Sequence, residues 1–352
     1  MDREPNARTA TLHDVAREAG VSLATASRVL NGSTRKVNEE YRQRVVDAAA
    51  RLDYTTNLSA QAIVRGSTTT VALLVADIAD PYFAQIAAGV VREADEDGLI
   101  VTMAATERDP ERELALVRTL RGQRPRAMLL AASRRSDEPE TAALVAELAS
   151  YERAGGRVAY LGSGELDFRA VRIGNVAGAE ALARALAGLG YRRFAVLAGP
   201  EGLHTGDDRL RGFAAGVEAS GGSIARVERT GFARDDGREG MQRLLERGLD
   251  GIELVFAVND VMAMGAMTAL REAGLEPGRD VAVAGFDDVP TVQDVSPPLT
   301  SVRIPLQETG RRLLRVALGE EDAADPDSAA DGGTAAEEAS AEVVLRASTP
   351  AR

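Results

Sequence analysis

Thr11-Leu12-His13-Asp14-Val15-Ala16-Arg17-Glu18-Ala19-Gly20-Val21-Ser22-Leu23-Ala24-Thr25-Ala26-Ser27-Arg28-Val29-Leu30-Asn31-Gly32 is the stretch whose reading decides the N-terminal fold. Thr11 can accept the orphan N–H groups of a first helical turn, and Asp14 favours the positive helix end. Val15, Ala16 and Ala19 form an apolar stripe, and Gly20 supplies a left-handed stop. Ser22 caps a second helix with Ala26, Val29 and Leu30 inward, and Asn31-Gly32 ends it. Two short helices joined by Gly20-Val21-Ser22 read as a helix-turn-helix, with a small helical bundle lacking any DNA role as the alternative. Asn38 caps a third helix, Glu39 to about Leu52, whose buried face is Tyr41, Val45, Val46, Ala49 and Leu52. Asn57 can cap a further short helix with Leu58, Ala60 and Ile63. It is too short to be stable alone, so it packs on the body or something orders it.

The chain has 352 residues, enough for two or three domains. Hydrophobic residues make up 45% and charged residues 27%, a globular composition. No cysteine is present, which excludes disulfides, zinc fingers, thiol nucleophiles and iron–sulfur clusters. His13 and His204 are the only histidines, too few for a His-based metal cage or triad chemistry. Net charge is −12, yet residues 1–66 carry +2 and the remainder −14. That asymmetry suggests a nucleic-acid module on a body that does something else. No apolar run approaches the roughly 18 residues of a membrane span, and no secretory signal is visible. A cytoplasmic, nucleoid-associated protein with no membrane contact is expected.

From residue 71 the pattern changes. Strand candidates at Val71–Ala76, Leu99–Met103, Ala127–Ala131, Val158–Leu161, Val171–Ile173, Phe194–Ala198, Leu254–Ala257 and Val281–Phe286 alternate with amphipathic helical stretches. This predicts parallel sheets covered on both faces. Two consecutive sets fit the length, dividing near Leu161–Glu165. Glu320–Ala341 holds eight alanines, eight acids and no base among 22 residues, which predicts a disordered acidic insert. Val343-Val344-Leu345-Arg346 then reads as a last strand. Gly162-Ser163-Gly164 lacks the third glycine of a dinucleotide fingerprint, and Walker A, H-E-x-x-H and G-x-S-x-G patterns are absent. No catalytic residue, cofactor or metal is nominated.

The 11–32 stretch resembles the DNA-binding signature of the lactose-repressor/galactose-repressor (LacI/GalR) family. Leu52-Asp53-Tyr54-Thr55-Thr56-Asn57, with Ala60 and Ile63, is similar to that family's hinge. So are four core segments to its core: Arg209-Leu210-Arg211-Gly212-Phe213, Ala257-Val258-Asn259-Asp260, Gly285-Phe286-Asp287-Asp288 and Pro297-Pro298-Leu299-Thr300-Ser301-Val302. The resemblance implies an N-terminal all-α helix-turn-helix headpiece plus an α/β periplasmic-binding-protein-like core of two parallel-sheet subdomains. Boundaries are expected at 10–56 for the headpiece, 57–69 for the hinge helix and linker, and 70–352 for the core. Subdomain one would take 70–162 and 291–319, subdomain two 163–290 and 342–352, with the insert at 320–341. In the family the chain crosses between subdomains three times. Ala26 stands where the family usually has Val.

The function implied is a DNA-binding regulator, a repressor whose operator affinity a small molecule in the core cleft controls, that molecule being a sugar or sugar derivative. Alternatives are a solute-binding protein of a transporter, and a regulator with a purine or nucleoside effector. Implied partners are palindromic double-stranded operator DNA and a second copy of the chain, because symmetric half-sites demand two-fold symmetry. DNA contacts are expected from Ser22, Leu23, Ala24, Thr25, Ser27, Arg28 and Asn31, and from hinge residues Asn57, Ala60 and Ile63. Leu23 and Ala24 offer only apolar contact, suited to thymine methyls. Arg28 suits guanine, or else phosphate or solvent; Thr25 and Ser27 suit phosphates. Ile63 takes the place of a minor-groove wedge, or packs on the core. Effector contacts are expected from Phe83, Ser133, Arg209, Phe232, Asn259 and Asp287. Their structural alternatives are a solvated helix arginine, a helix cap at Asn259, a turn at Asp287 and core phenylalanines.

Overall fold

The computed structural model describes residues 10–30, 37–55, 68–135, 139–162, 166–320, 338–339 and 341–352. The chain divides into two compact units, meeting at Thr68 and Thr69. The first unit holds α1 (Leu12–Ala19), α2 (Leu23–Leu30) and α3 (Glu39–Arg51). Thr11 and Asp14 close a reciprocal capping box: the Thr11 N–H donates to Asp14 Oδ2 at 3.0 Å, and the Asp14 N–H donates to Thr11 Oγ1 at 3.3 Å. These Thr11 hydrogen bonds hold the Asp14 carboxyl down at about 2. Gly20 turns the chain at φ 63°, and Ser22 Oγ accepts the Thr25 N–H at 3.1 Å. Val15, Ala16, Ala19, Ala26, Val29, Val45, Ala48 and Ala49 make the core.

Two residues expected in that core are outside it. Tyr41 is 43% exposed and Val46 46%. From Val45 the helical repeat reaches Ala48 and Ala49, whereas Val46 lies about 100° around the axis from Val45. Tyr41 carries the Arg44 guanidinium over its ring at 5.7 Å. The hinge helix expected at 57–65, and Asn31-Gly32, lie outside the described residues.

The second unit contains two parallel sheets. One has six strands: β1 (Thr70–Val75), β2 (Ile100–Ala105), β3 (Ala127–Ala131), β4 (Arg157–Leu161), β5 (Arg169–Ile173) and β11 (Glu338–Ala339), in the order β11-β5-β4-β3-β1-β2. Val71 stands opposite Val101 on one side and Ala127 on the other. The other sheet has four strands: β6 (Arg193–Ala198), β7 (Ser223–Arg229), β8 (Leu254–Ala257) and β9 (Ala282–Ala284), in the order β7-β6-β8-β9. The central strands are buried along nearly their whole length, as their unbroken apolar runs require. The helices are α4 (Pro81–Glu96), α5 (Pro110–Gly122), α6 (Thr141–Arg153), α7 (Asn175–Gly188), α8 (His204–Ala219), α9 (Arg234–Glu246), α10 (Asp260–Glu272) and α11 (Leu306–Leu318). β10 (Ser301–Arg303) and β12 (Glu342–Val344) pair antiparallel.

Among the described residues the chain passes between the two lobes three times: from β5 into α7, from β10 into α11, and from β11 to β12. The division expected at residues 162 and 163 therefore falls later. β5 extends the first sheet because Ala170 and Val171 pair with the open edge of β4. Thr300 bridges to Ala284 beside the second sheet, so the segment before β10 sides with lobe two rather than lobe one. At its far end the acidic insert gives way sooner than expected, since Glu338–Ala339 pair with Arg172–Ile173.

α4 and α11 approach through two glycines. A methyl on Gly310 would overlap the Ile86 carbonyl, and one on Gly89 the Gln307 carbonyl. Gly310→Ala is expected to destabilise the core by about 1–3 kcal/mol through overpacking, read as a lower denaturant midpoint with an unchanged slope.

Candidate functional site

A cleft with an empty volume of about 790 Å³, its mouth included, lies at the carboxyl ends of the strands. Lobe one contributes Asp80, Tyr82, Phe83, Arg108, Ser133 and Arg134; lobe two contributes Asn175, Thr205, Arg209, Phe232, Asn259 and Asp287. All six residues expected from the sequence line it.

Arg209 is its hub. Only 1% exposed, it donates from Nε to Asn175 Oδ1 at 2.8 Å and from one terminal nitrogen to the Val258 carbonyl at 2.7 Å. The other terminal nitrogen donates to Asp287 Oδ1, also at 2.7 Å. The guanidinium lies 4.0 Å over the Phe286 ring. This excludes the alternative of a solvated helix residue. Asp287 and Asp288 both adopt left-handed backbone, φ 111° and 54°, strain that a packed surround must sustain. Burial pushes the Asp287 carboxyl up to about 7 against the pull of Arg209, with Asp80 adding to the rise. Behind it Asp260, fully buried, accepts Ser301 Oγ–H at 2.6 Å and the Val289 N–H at 2.9 Å. Burial, reinforced by Asp287, raises the Asp260 carboxyl well above the usual range.

The other expected residues are differently placed. Asn259 spends both amide atoms internally: Oδ1 caps α10 through the Met262 N–H at 2.8 Å, and Nδ2 donates to the Phe232 carbonyl at 2.9 Å. Its cap reading therefore holds, although it still borders the cleft. Phe83 packs edge-on to Tyr82 at 4.9 Å. Ser133 Oγ accepts the Thr205 N–H across the cleft at 3.3 Å. Asp80, Tyr82, Arg108, Arg134, Asn175 and Thr205 were not anticipated. Asp80 alone left a signal, an Asp directly before Pro81 that caps α4 through the Tyr82 N–H at 3.0 Å. Burial raises its carboxyl too.

In the first unit, Ser22, Leu23, Ala24 and Arg28 are exposed on one end and face of α2, with Leu23 at 40%. Thr25 and Ser27 are half-buried, and the Thr25 hydroxyl lies 2.9 Å from Ser22 Oγ. Asn31, Asn57, Ala60 and Ile63 lie outside the described residues. Among the described residues, no helix is long and apolar enough to cross a membrane.

Residues 11–57 match the family of bacterial regulatory proteins of the lacI type, and residues 183–349 match the periplasmic binding protein-like domain. The chain is 35% identical to the transcriptional regulator CelR of Thermobifida fusca over 88% of its own length and 92% of CelR. It is 31% identical to DegA of Bacillus subtilis, over 87% of this chain and 90% of that one. The chain belongs to the LacI family of transcriptional regulators. In structure it is similar to the Lac repressor dimer bound to operator and an anti-inducer, with TM-score 0.80, 25% identity, and 98% and 100% of the two chains covered. It is also similar to a CelR–cellobiose complex, with TM-score 0.68, 31% identity, and 96% and 99% coverage. LacI-family members are regulators and not enzymes, so this membership sets aside both the transport reading and any catalytic one.

Arg209→Met strips Asp287 of its counter-ion at a buried site, for which about 3–5 kcal/mol is the usual cost. The sign with pH follows from the raised carboxyl. Below about 7 the folded protein holds Asp287 protonated and the lost ion pair matters less. Above that, wild type ionises Asp287 beside Arg209, whereas the variant, without that pull, must hold the carboxyl protonated or bury it unpaired, a cost that grows with pH. The fall in melting temperature is expected to be larger at pH 8 than at pH 6; an equal fall at both would remove Asp287 as the cause.

Proposed function

We propose that this chain is a repressor that grips palindromic operator DNA as a homodimer and changes its grip when a carbohydrate fills the cleft. The observation that carries the reading is the buried Arg209–Asp287 pair on the floor of a cleft walled by both lobes. A carboxylate beside a guanidinium supplies acceptors and donors at the spacing of vicinal hydroxyls, and Phe83 and Phe232 offer apolar faces for a sugar ring. The likeness to a cellobiose-bound relative supports the same class of effector. The effector shifts operator affinity only by its differential affinity for two lobe arrangements, commonly about 1–3 kcal/mol of coupling.

On DNA, the α2 N-terminus enters the major groove. Leu23 and Ala24 meet thymine methyls, Arg28 reads guanine, and Ser22, Thr25, Ser27 and Asn31 hold the backbone. Asn57, Ala60 and Ile63 belong to a hinge that contacts the operator, with Ile63 as the minor-groove wedge. In this assignment 10–56 is the headpiece, 57–69 the hinge and 70–352 the effector core, and the protein works in the cytoplasm on the nucleoid.

Mobility-shift titration on DNA upstream of its own gene tests this. Full-length protein should shift a palindromic fragment, and protein lacking residues 1–66 should not. Arg28→Ala is expected to cost about 1–3 kcal/mol on the best site and to relax preference at one base pair per half-site. Uniform weakening across all sequences would make Arg28 a phosphate contact instead. A thermal-shift screen of sugars, polyols and nucleobases then identifies the effector class.

A further inference from the structure

Arg134 was not among the residues nominated by sequence, and its surroundings set it apart from every other cation of the cleft. The residue is 5% exposed. One terminal nitrogen donates to Glu113 Oε1 at 2.5 Å and the other to the Ala132 carbonyl at 3.1 Å. Glu113, on α5, is itself 5% exposed. This clamp fixes the guanidinium plane and neutralises its charge. Arg134 is one of the residues that line the cleft, and its buried Nε–H has no hydrogen-bond acceptor among the described residues. Native proteins rarely leave a buried N–H unpaired, because the group loses water and gains nothing.

The neighbouring polar groups do not share this condition. Arg209 is matched to three acceptors, both Asn259 amide atoms are used, and Ser133 Oγ holds the Thr205 N–H. The backbone of Arg134 is also engaged across the cleft. Its carbonyl accepts the His204 N–H at 3.1 Å, and Arg135 bridges antiparallel to Leu203. Lobe one thus caps the otherwise uncapped start of α8, the helix that carries Arg209.

We infer that Arg134 is a lobe-one effector contact whose Nε–H donates to an oxygen of the bound molecule, coupling occupancy to the seam between the Arg134 carbonyl and α8. The inference rests on the carbohydrate reading above and adds to it a specific donor. Because Glu113 already balances the charge, a neutral sugar hydroxyl or ring oxygen suffices as acceptor. A carboxylate carries the same acceptor chemistry.

Titration calorimetry with cellobiose, D-glucose, D-ribose and D-glucuronate on the full-length protein tests this, using wild type, Arg134→Lys and Arg134→Gln. Lysine keeps a cation for Glu113 and removes the Nε–H; melting curves without sugar check that each variant folds. For the probe that wild type binds, both variants should bind about 10- to 100-fold more weakly. Among monodeoxy analogues of that probe, one should weaken wild-type binding yet make no further difference in the variants. A drop confined to D-glucuronate assigns the acceptor as the carboxylate; a drop with a neutral sugar assigns it as a hydroxyl or ring oxygen. Unchanged affinity in the variants overturns the Arg134 contact and leaves the carbohydrate reading standing. Weaker binding in which every deoxy analogue loses the same factor as in wild type also overturns it, because that is a structural effect. If wild type binds none of the four, the carbohydrate reading falls and this contact with it.

Discussion

The core depends on where one buried guanidinium finds its acceptors. Arg209 reaches Asn175, the Val258 carbonyl and Asp287. Asn175 opens α7 immediately after the first crossing between lobes; Val258 follows the end of β8; Asp287 stands on the strap that leads to the second crossing. A charge taken out of water is tolerated only if every partner is in place, and losing one strands the rest. Arg209 therefore ties two of the three crossing segments to one helix. All of these partners belong to lobe two, beside the first and second crossings, so a group that bonds to Arg209 or Asp287 acts next to the segments that join the lobes.

The strap is stiffened on its other side. Arg303 donates to Asp288 Oδ2 at 2.8 Å, Arg346 lies 2.6 Å from Asp288 Oδ1, and Ser301 Oγ accepts the Asp288 N–H at 3.0 Å. Asp260 holds Val289 and Ser301 from below. Two successive left-handed aspartates are sustained because their side chains and N–H groups are each bonded. Strain of this kind persists only where the surround over-determines it. A strap held at so many points moves as a unit, a property that control through two lobe arrangements would use.

The parts of this arrangement that the sequence carried are those with a local signal. Thr11 and Asp14 form their capping box because three-residue spacing is all it needs. The unbroken apolar runs of β1, β3, β6 and β8 announced buried parallel strands. β7 escaped notice because it is an edge strand: Arg226, Glu228 and Arg229 interrupt its apolar residues. β5 was assigned to the wrong lobe because nothing in Val171–Ile173 says which sheet it will join; the open edge of β4 decides that. Asp287 and Arg209 were visible only through a family resemblance, since 78 residues separate them. Arg134 and Glu113 stayed invisible, because a buried pair 21 residues apart leaves the same letters as two solvated charges.

Charge distribution favours the paired headpieces of the proposed homodimer. Residues 1–66 carry +2 and the remainder −14, so the acidic body is repelled by the phosphates its small basic module must approach. A single headpiece of this size covers only about 600–1,000 Å² of DNA-facing surface. In the proposed homodimer the second contact becomes an intramolecular event, with gains of about 10²–10⁴ in avidity when the spacing fits the half-sites. That gain vanishes when the spacing is wrong. The effector therefore has no need to touch DNA or weaken any single contact. A shift in lobe geometry that changes whether both headpieces engage at once changes the avidity, in the direction of release for an inducer and of grip for a corepressor.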